Sequence, residues 1–121
     1  MRIDDTRPIW IQLADSFRGR ITDGTWKPGE KIPSVRDLAI EAGTNPNTVQ
    51  RALSALDEEG LTVPKRPAGR FVATDESALH ALRKNDAYLA ADAYIRACRS
   101  LGIDLKGAQT LIDQRWDATE K

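Results

Sequence analysis

The chain has one cysteine, one histidine and one methionine among 121 residues, and these scarcities exclude whole classes of chemistry. A lone Cys98 has no internal partner for a disulfide, as suits a reducing compartment. Three or four ligands are needed to hold a metal, and a nucleophilic triad needs a base and a group to orient it. His80 and Cys98 cannot supply either, and both are expected as ordinary surface and packing residues. No glycine-rich phosphate loop or dinucleotide fingerprint is present. Apolar runs stay well short of the ~20 residues that cross a bilayer. The opening MRIDDTRPIW lacks the apolar stretch and small-residue cleavage site of a secretory signal, so the expectation is a cytoplasmic protein with no membrane partner. Eighteen basic residues balance eighteen acidic ones, leaving no overall charge to announce a polyanionic partner. The acidic triplet Asp57-Glu58-Glu59 reads as solvated surface, because consecutive helical residues point in different directions. These absences predict a non-enzyme with no metal and no cofactor.

Helical periodicity is what the chain does have. Ile9, Leu13, Phe17 and Ile21 recur at every fourth position, with Pro8 before them and Gly24 after. Pro28-Gly29 suits a tight turn, and Lys31-Ile32 a short strand. Ser34 can cap a helix from Val35 to about Ala42, with Asp37 reaching back in a capping box and Gly43 as the stop. A further helix opens at Asn45-Pro46 and closes at Gly60, with Val49, Ala52, Leu53 and Leu56 as its apolar stripe. Two short helices separated by Gly43-Thr44-Asn45 have the proportions of a helix-turn-helix. The period then shortens. Leu61, Val63, Phe71 and Ala73 read as the inward positions of a hairpin whose loop is Pro67-Ala68-Gly69. Beyond Asp75 the pattern is helical again. A candidate break at Asn85-Asp86 leads into the stripe Tyr88, Ala91, Ile95, Cys98 and Leu101, and a final helix follows, capped by Asp104 and lined by Leu105, Ala108, Leu111, Ile112 and Trp116.

The segment NPNTVQRAL at 45–53 carries the functional signal. Asn47, Thr48, Gln50 and Arg51 crowd the first turns of a helix whose apolar residues lie behind them. A helix in the DNA major groove meets bases chiefly through its N-terminal residues. Asn and Gln match adenine there, Arg matches guanine with two hydrogen bonds, and the Thr methyl can touch that of thymine. From Gly60 to Thr74 the chain has Lys65, Arg66 and Arg70 and no acid, so a basic hairpin follows the helix directly. Such a tip suits contact with the phosphate backbone or minor groove.

Taken together, PIWIQL at 8–13, DGTWKPGEKIPSVRDLA at 23–39, NPNTVQRALSALDEEGL at 45–61 and GRFV at 69–72 resemble the GntR family of winged helix-turn-helix transcriptional regulators. NPNTVQRA and the short tail are similar to its YtrA-like branch, compact bacterial repressors that dimerise through the tail. The resemblance implies a mainly α fold with a small β-hairpin (α+β), divided into a DNA-binding domain at 1–74 and a two-helix dimerisation tail at 75–121. It assigns Ser34 to phosphate and Arg36 to the start of the second helix. Asn47, Thr48, Gln50 and Arg51 fall on the recognition helix, and Gly69 on the wing. Asn45, Lys65, Arg66 and Arg70 complete the expected DNA-binding set. Pro67 stands where the family wing usually has glycine, and Arg70 where a small polar residue is common, so a stiffer and more basic wing is expected. The expected dimer contacts are Tyr88, Ala91, Ile95, Leu101, Leu105, Leu111, Ile112 and Trp116. The partners implied are double-stranded DNA and a second copy of the chain, and no effector is identified. The function implied is sequence-specific repression at an inverted-repeat operator. A winged-helix protein–protein interaction module is the rival reading, because fold does not dictate function.

Overall fold

A computed structural model describes residues 4–119. Its elements run α1 (Ile9–Thr22), α2 (Val35–Ala42), α3 (Pro46–Glu58), β1 (Thr62–Lys65), β2 (Gly69–Val72), α4 (Glu76–Ser100) and α5 (Leu105–Trp116), with a closing 3₁₀ turn at Asp117–Thr119. Two compact units, Met1–Arg83 and Lys84–Lys121, divide the chain inside α4.

In the first unit the α1 stripe buries Leu13, Phe17 and Ile21 in one core with Leu38 of α2 and with Val49, Ala52, Leu53 and Leu56 of α3. Ile9, expected in that stripe, is exposed at the helix start. Phe17 and Trp26 meet with ring centroids 5.5 Å apart. Gln12 is buried, and its amide holds the preceding segment: Oε1 accepts from the Asp4 N–H, and Nε2 donates to the Asp4 and Arg7 carbonyls. The core extends past Thr74, because Leu79 is buried in it and Ala78 and Leu82 pack against it. The first turns of α4 therefore belong to this unit.

The hairpin is antiparallel, with Thr62 opposite Val72 and Lys65 opposite Gly69. Lys31 pairs with Phe71 through a single bridge, so the expected strand at Lys31-Ile32 shrinks to one position. The inward phase also differs from the expected Leu61, Val63, Phe71 and Ala73. Thr62 and Val72 are buried, whereas Val63 is exposed and Phe71 only half-buried. The cause lies at the end of α3. Gly60, at φ 79°, donates to the Asp57 carbonyl and Leu61 to the Leu56 carbonyl, which is the paired-bond cap of a helix C-terminus. Leu61 is buried as part of that cap, and the strand alternation starts one residue later.

The second unit contains the rest of α4, a turn and α5. Asn85-Asp86 does not break α4, which is continuous. Neither residue is Gly or Pro, and each costs only a few tenths of a kcal/mol or so in a helix interior. Asp104 caps α5 by accepting from the Gly107 N–H at 2.9 Å. The Tyr94 hydroxyl donates to the Ala108 carbonyl at 2.8 Å, and Cys98 and Ala108 are buried. No helix among the described residues is long and apolar enough to cross a membrane.

Candidate nucleic-acid interface

Helix α2 begins at Ser34, whose Oγ accepts from the Asp37 N–H at 3.1 Å. It stops at Gly43, whose left-handed backbone (φ 68°) turns the chain toward α3. Asn45 then starts α3, its Oδ1 accepting from both the Thr48 N–H (3.0 Å) and the Thr48 hydroxyl (3.2 Å). With Val49, Ala52, Leu53 and Leu56 buried, α3 turns Asn47 and Arg51 to solvent one turn apart.

The wing returns along α3. Lys31, Ser34, Gln50, Pro64, Arg66 and Gly69 are among the residues around a groove of about 370 Å³ between the start of α2, the recognition helix and the hairpin. A β-carbon on Gly69 (φ 127°) would lie 2.7 Å from Cε of Lys31, so the lysine side chain runs across the wing glycine. Lys31 is thus a basic residue of this face that the sequence did not single out. Its place follows from the bridge to Phe71, a pairing distant in sequence with no local signal.

The expected site residues fall into distinct groups. Ser34, Gln50, Arg66, Gly69 and Arg70 share the groove. Arg36, Asn47, Arg51, Lys65 and Arg66 are exposed. Gln50 donates to the Ser54 hydroxyl at 3.2 Å, and Lys65 Nζ lies 5.4 Å from the Phe71 ring centre. Arg70 departs from the expected second grip at the wing tip. Its Nε and Nη2 donate to the two carboxylate oxygens of Asp57 at 3.0 and 2.9 Å, and Thr62 Oγ1 also donates to Asp57. Strand register explains this: Arg70 shares the inward face with Val72 and Thr62, toward α3. The acidic triplet is accordingly not simple solvated surface. Asp57 holds the wing, and Glu59 accepts a two-point contact from Arg18 of α1.

A helix-turn-helix with an exposed recognition ridge and a basic hairpin alongside defines the winged-helix class of DNA-binding regulators. The chain belongs to the gntR family of bacterial regulatory proteins, whose model matches residues 11–72. It is 28% identical over 116 residues to the uncharacterized HTH-type transcriptional regulator YhcF of Bacillus subtilis, covering 93% of this chain and 96% of that one. Identity to the HTH-type transcriptional repressor YtrA of the same organism is 38% over 65 residues, 54% of this chain and 50% of that protein. A GntR family transcriptional regulator from Listeria monocytogenes superposes with a TM-score of 0.77 at 28% identity, covering 93% and 98% of the two chains. AraR(DBD), solved in complex with operator ORR3, superposes at 0.55 with 26% identity over 60% of this chain and 88% of that one. The protein is a transcriptional regulator of the gntR type.

Proposed function

We propose that this regulator binds an inverted-repeat operator as a homodimer and represses the adjacent promoter. The observation that carries the reading is the convergence of the α2 start, Gln50 of α3 and the wing around one groove, with Asn47 and Arg51 exposed on the same helix. Asn47, Gln50 and Arg51 address base edges in the major groove. Ser34, Arg36, Lys31, Lys65 and Arg66 hold the phosphate backbone, and Asn45 and Thr48 set the helix start. Arg70, at the edge of the same groove, fixes the wing to α3 through Asp57. Operator binding by AraR(DBD) and the repressor name of YtrA support the same direction.

The dimer rests on the second unit. Tyr88, Ala91, Ile95, Leu101, Leu105, Leu111, Ile112 and Trp116 are all exposed in the single chain, Leu101, Leu105 and Trp116 by about three-quarters. Monomers seldom leave large apolar patches in water, and these two helices expose many apolar side chains. A two-fold partner covers these faces and presents two recognition helices to major grooves roughly 34 Å apart. Selection of bound sequences from randomised duplexes, followed by sedimentation of protein alone and with the selected duplex, tests the reading. The expected result is an inverted repeat holding two protomers, from a protein already dimeric at micromolar concentration. A monomer, or a selection that yields no consensus, overturns it. A reporter carrying the selected duplex beside its promoter then separates repression from activation.

A further inference from the structure

Trp10 lies at the start of α1, outside the helix-turn-helix and the wing, yet the Arg51 guanidinium carbon sits over its ring, 4.4 Å from the centroid. Among the described residues Arg51 has no ion-pair partner and no side-chain hydrogen bond. The contrast with Arg20 is informative. Arg20 also lies against aromatic rings, those of Phe17 and Trp26, but its guanidinium is occupied by Glu41. Stacking uses the face of a guanidinium and leaves its in-plane N–H donors available. The ring under Arg51 therefore restricts a long, rotamer-rich side chain without consuming the donors that read a base.

We propose that Trp10 is a positioning residue for sequence readout, holding the Arg51 fork in place for two-point contact with a base edge. The proposal rests on the reading of α3 as the base-reading helix. Ordering Arg51 before DNA arrives removes part of the entropy otherwise lost on binding. The advantage appears on sequences that offer Arg51 its partner and not on random DNA, so α1 contributes to specificity without touching a base.

The test uses the full chain and two duplexes, the consensus selected by the wild-type protein and a scrambled one of equal length. W10L should weaken binding to the consensus about two- to fivefold, the range expected for removal of an exposed cation–π interaction, and leave the scrambled duplex nearly unchanged. W10F keeps a ring and should restore most of the affinity. In the R51A background W10L should cost nothing further. The free protein gives a readout independent of DNA: the Arg51 Nε–H proton, identified by its loss in R51A, should resonate upfield through the ring current and move downfield in W10L. Equal losses on both duplexes, or a W10L loss that persists in R51A, overturn the proposal by making Trp10 merely structural. If R51A leaves consensus binding intact, base reading by Arg51 fails and takes the proposal with it. If R51A weakens binding while W10L does not, only the role of Trp10 fails.

Discussion

Replacing Asp57 with alanine tests how the wing is held. The carboxylate receives two hydrogen bonds from Arg70 and one from Thr62, and the Arg70 and Asp57 side chains are only 13% and 21% exposed. Removing one member of a fully buried pair costs about 3–5 kcal/mol, because the partner charge stays desolvated. The remaining exposure lets water reach Arg70, so the expected loss here is nearer about 2–3 kcal/mol. In a domain of this size that lowers the melting temperature by roughly 10 °C or more. Removing both partners should cost much less than the two single losses combined, since no stranded charge remains. Thermal and urea unfolding of wild type, D57A, R70A and the double variant close the cycle. A D57A loss under about 0.5 kcal/mol that adds simply to that of R70A would place the pair among ordinary surface ion pairs and refute this account of the wing.

Three further outcomes are expected. Arg66→Ala should weaken operator and random duplex alike and flatten the salt dependence of binding by about 0.9 in the log–log slope for each phosphate the side chain had neutralised, as read by titration at several ionic strengths; an unchanged slope would place Arg66 off the backbone. A chain ended after Arg83 should fold cooperatively, whereas one ended after Thr74 should be less stable by about 2 kcal/mol or more for want of Leu79, which calorimetry on the two can measure. Hydrogen bonds from the Ser77 backbone and hydroxyl hold the Asp75 carboxyl below its ordinary value of 3.8, so its stabilisation is present above that pH and is lost as pH falls through the lowered folded value. Ser77→Ala removes the hydroxyl bond and should bring the Asp75 NMR titration midpoint part of the way back toward 3.8.

Local chemistry determined much of this protein. The apolar spacing of α1 and α3 and the caps Ser34, Asn45 and Asp104 were legible because each depends on residues within a turn or two of one another. The stops at Gly43 and Gly60 were legible for the same reason, since glycine readily takes the positive φ that ends a helix. The family followed from those elements in order. What the sequence left open depended on contacts between distant residues. The strand phase hinged on whether Leu61 belonged to the helix cap or to the hairpin, a shift of one residue that reverses every side chain. Arg66 and Arg70 look alike in a basic run, and only the pairing of β1 with β2 turns Arg70 onto Asp57 while Arg66 remains in solvent. Trp10 and Arg51 are 41 positions apart, and the packing of α1 against α3 brings one over the other. Helix propensity and capping act along the chain and are written in it. Which charge is spent inside the fold and which is left for a partner is decided across it, by a neighbour that only the folded chain supplies.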